Sequence, residues 1–171
     1  MKMSGFKVLQ NSNGPELELA LSGIIDEDVQ FPSFDLSSTK QIVFDLKDVK
    51  SINSVGIREW LNWIKALSEK CQIVMKNCPK SLVFQFNMVD GFLPKGSKVT
   101  SLYVPFFCEK CDLEENILFQ VGEQIIVKDG NVSVKFELEK IKPCQTAVPE
   151  CGITIDITED KYFQFLKRSN D

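Results

Sequence analysis

The chain has no histidine among its 171 residues. That absence excludes serine or cysteine nucleophiles activated by imidazole, and every metal site that needs a histidine ligand. Hydroxylated aromatics are also scarce. Two tyrosines stand against thirteen phenylalanines, so the aromatic side chains are mostly of the kind that fills interiors, where no hydroxyl has to find a partner. No apolar run approaches the roughly 18 residues of a membrane span, and the opening stretch "MKMSGFKVLQNSNG" lacks the apolar core of a signal peptide. A soluble, cytoplasmic protein is expected. A basic surplus is missing too: 20 Lys and Arg against 24 Asp and Glu give a formal charge of −4, so no non-specific attraction to nucleic acid or anionic lipid is expected of the whole molecule.

What is present is a globular composition, 43% apolar and 26% charged, in a length that suits one medium domain or a small domain with an appendage. Up to about residue 107, strand and helix patterns alternate. "ELELALSGII" sets Leu17, Leu19 and Leu21 between polar residues, the period of a strand with one buried face. "QIVFDL" at 41–46 and "CQIVMKN" at 71–77 are short apolar runs of the kind buried within a sheet. Between them Ile57, Trp60, Leu61, Ile64 and Leu67 recur at helical spacing. Strand, helix, strand within this length is a βαβ unit. A second helix is expected from Pro79 to near Gly91, followed by a strand in "SKVTSLYVPF". The interval before Gln41 is short and holds Pro32, so no full helix is expected there.

From Cys108 the pattern changes. "NILFQVGEQIIV", "NVSVKFELEKI" and "GITIDI" read as strands, "KDGN" at 128–131 as a tight hairpin turn, and only "EDKYFQFLKR" as a helix. The expected division is therefore 1–107 and 108–171. The second part holds 13 acidic and 8 basic residues, net −5, against +1 for the first.

Cys108 and Cys111 form "CEKC", and Cys144 and Cys151 form "CQTAVPEC", with 32 residues between the pairs. Four thiolates suit a tetrahedral structural zinc with bonds of about 2.3 Å, which leaves no open position for a substrate. A region of some 60 residues buries little apolar surface, and a metal supplies the constraint its core lacks. Free thiols and disulfides are the alternatives. Cys71 and Cys78, flanking a strand, read as small buried hydrophobes.

The turn "NSVG" at 53–56 opens the first helix. Asn53 or Ser54 suits its N-cap. As a nucleophile Ser54 has no histidine to activate it, and "NSVG" is not the GxSxG elbow of hydrolases. Asp45 and Asp48 at a strand end suit turn and capping roles better than carboxylate catalysis. Arg58 lies off the apolar stripe and Trp63 at its margin, so the pair reads as part of an exposed contact surface, with Trp63 as an aromatic anchor. "DEDVQF" at 26–31 reads as a solvated loop.

The order strand, "VFDLKDVKSINSVGIREWLNWI", strand, "NCPKSLVFQFNMVDGFL", strand resembles the STAS domain, the family of bacterial anti-sigma factor antagonists that also forms the cytoplasmic tail of sulfate transporters. Asp45, Leu46, Ser54, Gly56 and Ile57 occupy the places of its signature, and the resemblance covers residues 5–107. It implies an α/β fold: a sheet of four to five strands with helices on one side. The second part is expected as a small all-β, zinc-ribbon-like domain. The resemblance further implies that Ser54 is a candidate for phosphorylation and that the surface around it docks an anti-sigma factor kinase. Asn53 stands where phosphorylated members carry aspartate. The expected function is a non-enzymatic regulatory module that binds a protein through Asn53, Ser54, Gly56, Arg58 and Trp63, with structural zinc on Cys108, Cys111, Cys144 and Cys151. A zinc-ribbon protein associated with nucleic acid, or a scaffold or adaptor, is the alternative; the acidic second part and the lack of a basic stripe weigh against nucleic acid.

Overall fold

In the computed structural model, which describes residues 5–137 and 152–168, the protein is a mixed α/β fold with one multi-stranded mixed sheet and few helices. Strand β1 (Lys7–Asn13) turns back into β2 (Glu16–Ile25) through Gly14 and Pro15. Gly14 takes φ 59, and a positive φ before a proline is what a two-residue type II′ hairpin asks of its centre. β3 (Gln41–Ile52), β4 (Gln72–Lys76) and β5 (Lys98–Val99) then pair in parallel, in the order β1-β2-β3-β4-β5.

The register aligns Leu17 with Ile42 and Ile73, and Leu19 with Phe44 and Met75. All are buried, so this face carries the core. The opposite face is polar: Glu18, Asp45 and Lys76 lie on it, with the Lys76 ammonium bonded to Glu18 and 3.9 Å from Asp45. Helix α1 (Ser54–Ser68) joins β3 to β4 and buries Trp60, Ile64 and Leu67 of the expected stripe, with Ile57 and Leu61 half-buried. Helix α2 (Lys80–Met88) joins β4 to β5. It begins one residue later than the sequence pattern implies, because Pro79 is its N-cap, and it ends at Met88 rather than near Gly91. Trp60, stacked on Phe92 at 5.3 Å, and Phe86, 5.9 Å from Phe92, link both helices to one core.

The strand expected in "SKVTSLYVPF" serves two sheets. β5 closes the first, and after Thr100 the chain continues as β6 (Ser101–Cys108), which pairs with β7 (Leu113–Gln120) and with β10 (Ile153–Ile155). Cys78 joins the sheets by donating its N–H to Ser101 O at 3.1 Å and accepting from Tyr103 N at 2.9 Å. β8 (Ile125–Lys128) and β9 (Asn131–Val134) form the expected hairpin. Asp129 and Gly130, with φ 51 and 72, are the two positive-φ positions of a type I′ turn.

The expectation of an all-β domain over 108–171 does not hold for its last segment, where the helical reading of "EDKYFQFLKR" is borne out. Two short helices, α3 (Glu159–Tyr162) and α4 (Gln164–Arg168), follow β10 and bury Tyr162, Phe165 and Leu166. They are held by α2: Asn87 donates to Tyr162 O at 2.9 Å and accepts from Phe165 N at 2.8 Å, while the Tyr162 hydroxyl donates to Tyr103 O at 2.6 Å. Burial drives that hydroxyl's pKa well above the ordinary tyrosine value, with the Cys78 thiol adding to the shift. Among the described residues no helix is long and apolar enough to cross a membrane.

Candidate partner-binding surface

The start of α1 is built on one asparagine, whose carbonyl accepts the Ile57 N–H at 2.8 Å in the helix and which makes three further bonds. Asn53, not Ser54, is the N-cap: its backbone is extended and its Oδ1 accepts from Gly56 N at 2.9 Å, satisfying one of the amides a helix start leaves open. Its own N–H donates to Ile25 O at 3.1 Å, and its Nδ2 donates to Glu27 Oε2 at 2.7 Å. The cap therefore ties the helix to the end of β2 and to the loop beyond it. Glu27 belongs to the segment that reads as merely solvated in the sequence. A bond to its own backbone N–H and the bond from Asn53 hold its carboxyl below the ordinary glutamate range.

Gly56 is required by contact rather than by helix geometry. A Cβ at this position would lie 2.1 Å from Ile25 O. Only glycine lets the first turn press onto the end of β2. The result is that Ser54, at the first helical position, is exposed, and its hydroxyl makes no hydrogen bond among the described residues. The first turn contains no acidic residue.

Arg58 is exposed and Glu59 half-buried, and they pair with each other, Nε to Oε1, at 3.2 Å. Such a solvent-screened pair contributes little to stability. Trp63 is not the exposed anchor that its marginal position on the stripe implies. It is half-buried, stacks on Phe31 at 4.3 Å, meets Phe44 edge-on at 5.6 Å and donates its indole N–H to Pro32 O at 2.8 Å. The loop "FPSF" at 31–34 covers it in place of a helix; two phenylalanines in a loop were the readable signal of that role.

Of the four cysteines expected to hold zinc, Cys108 is buried at the end of β6 and Cys111 lies in the turn to β7. Cys144 and Cys151 fall outside the described residues. Among the described residues no group of three or more His, Cys, Asp or Glu is placed to hold a metal. Ile153, two residues beyond Cys151 in the chain, pairs with Cys108. Cys71 and Cys78 are both buried, and the Cys71 thiol lies 3.3 Å from Thr39 O. Burial raises both thiols above the ordinary cysteine range; Cys78, fully enclosed and near Asp45, is the more strongly shifted.

No family model, curated protein or solved structure matches the chain.

Proposed function

We propose that this protein is a non-enzymatic regulatory module of the anti-sigma factor antagonist (STAS) type, which binds a protein partner through the surface running from Asn53 along the exposed side of α1. The observation that carries the reading is Ser54 itself: a hydroxyl exposed at a helix start, on a turn held by the Asn53 cap and the Gly56 contact, without a histidine in the chain to activate it. The parallel order of β2 to β5, with α1 and α2 as crossovers, supports the same reading. Arg58 extends the surface. Trp63 acts from beneath, holding the 31–34 loop against the helix.

The surface works by shape and charge. A phosphate on Ser54 brings a charge of about −2 to the mouth of α1, where the free chain tolerates it because the helix dipole favours an anion. In a docked interface the same charge is desolvated, and Glu27, held ionised beside the cap, adds like-charge repulsion. Partner release follows. The test is co-purification with an ATPase-type anti-sigma factor kinase: Ser54→Ala retains the partner and Ser54→Asp loses it. Full retention by Ser54→Asp removes this turn from the interface.

In the second region we propose one structural zinc on Cys108, Cys111, Cys144 and Cys151. The C-x-x-C pair at the β6–β7 turn and the pairing of Ile153 with Cys108, which leaves Cys151 only two residues along the chain from Cys108's strand partner, support it. Bound zinc would cross-link this small region. Metal analysis of the purified protein checks this: about one zinc per chain, lost in Cys108→Ser, is expected, and a carefully reduced preparation without metal refutes it.

A further inference from the structure

We propose that the groove between the end of β3, the start of α2 and strand β6 is a binding site for a small phosphorylated organic molecule, separate from the Ser54 turn. It is an open groove of about 550 Å³, lined by Lys47, Lys50, Lys80, Ser81, Phe84 and Tyr103. That volume is in the range of small-molecule sites.

Four observations converge on an anion with an apolar body. The groove lies just past the carboxyl end of β4 and beside the last part of β3, which runs on beyond its pairing with β4, near the end of the sheet where open α/β folds place their ligands. Three lysines line it in a chain whose net charge is −4, so their convergence does not follow from composition. Among the described residues Lys47 and Lys50 have no ion-pair partner, and Lys80 reaches only Glu114, at 3.5 Å, through side chains that are 33% and 56% exposed.

The Ser81 hydroxyl is the independent mark. Its oxygen is buried and has no hydrogen-bond partner among the described residues, an unsatisfied state that an outside donor or acceptor would relieve. Ser81 sits in the first turn of α2, where Pro79 provides no side-chain cap and no acidic residue balances the dipole. The Leu82 and Val83 amides donate to Pro79 O at 3.0 and 3.1 Å, so the Lys80 and Ser81 amides, with the hydroxyl, are the donors left to suit phosphate oxygens. Phe84, 40% exposed on the next turn, and the half-buried Tyr103 offer apolar walls beside the cations. Phosphate on the lysines and helix start, with an apolar or aromatic portion on Phe84, uses every feature of the groove.

The test is titration of the full-length, isotope-labelled protein with phenyl phosphate, followed by the backbone amide resonances. Inorganic phosphate and sodium chloride of matched ionic strength run in parallel. Saturable shifts at Lys80 and Ser81 are expected, with phenyl phosphate binding several-fold more tightly than inorganic phosphate. Lys47→Gln with Lys50→Gln weakens binding about tenfold, and Ser81→Ala about threefold or more, the range of charged and neutral hydrogen bonds. Phe84→Ala removes the advantage of the phenyl group. The proposal is overturned if chloride produces the same shifts, if no saturable shift appears by about 20 mM ligand, a limit near the weakest useful affinities, or if inorganic phosphate binds as tightly as phenyl phosphate.

Discussion

Gly56→Ala probes the joint on which the Ser54 surface rests. The added methyl would stand 2.1 Å from Ile25 O, and real Cβ atoms essentially never approach below 3.0 Å, so the helix start must retreat by about 1 Å. The obstructing atom is a backbone carbonyl and cannot rotate away. The same oxygen accepts the Asn53 N–H, so retreat also weakens that 3.1 Å bond. Overpacking of this kind costs about 1–3 kcal/mol and the strained hydrogen bond about 1 more. Alanine's better helix propensity offsets about 1 kcal/mol. A net loss of about 2 kcal/mol is expected, or a fall in Tm of about 5 °C for a chain of this size. Urea unfolding should show a lower midpoint with unchanged slope, since the surface exposed on unfolding stays the same. Asn62→Ala, at an exposed position of the same helix, serves as the control and should be neutral or slightly stabilising. If Gly56→Ala proved as stable as the parent, α1 would not be pressed onto the end of β2, and the account of how Ser54 is presented would fall with it.

Trp63→Phe keeps most of the stacking on Phe31 but leaves Pro32 O without its donor, so a loss of about 1 kcal/mol is expected, against about 3 for Trp63→Ala; equal, negligible losses in thermal unfolding would restore Trp63 to the list of exposed contacts. Lowering the pH should remove the contribution of the Glu27–Asn53 bond. Glu27's folded pKa is depressed, so that stability is present above the unfolded value of about 4.3 and is lost as pH falls through the folded one. Glu27→Gln should flatten that part of the stability–pH curve, and an unchanged curve would discard the link. Cys78 should resist thiol reagents at pH 8 in the native state and react on unfolding, because burial keeps it protonated; mass spectrometry after native labelling reads the outcome, and rapid modification at Cys78 would contradict its enclosure.

Local periodicity made much of the first region legible. The alternation of Leu17, Leu19 and Leu21, the apolar runs of β3 and β4, and the stripe of Trp60, Ile64 and Leu67 each satisfy a rule that acts over a few residues, and each element formed where its pattern lay. Asp129 and Gly130 announced the β8–β9 hairpin for the same reason: the turn's positive φ values are demanded locally.

The candidate site depended on contacts that sequence separation conceals. Asn53 and Ser54 are both good caps, and Asn53 holds the position with a side chain that also bonds Glu27, 26 residues earlier. Trp63 became interior through a loop whose Pro32 lies 31 residues away, and α3 and α4 dock through Asn87, 75 residues before Tyr162. Thr100 marks where one strand changes sheets, a choice made by Met75 O, which accepts the Thr100 N–H at 2.9 Å, and by β7, the strand with which the next residues pair. By itself the sequence determined which segments are helix or strand, because propensity and period are properties of neighbours. Which polar atom meets which, and which aromatic is covered, was decided only in the folded chain, where distant segments compete for the same few buried partners.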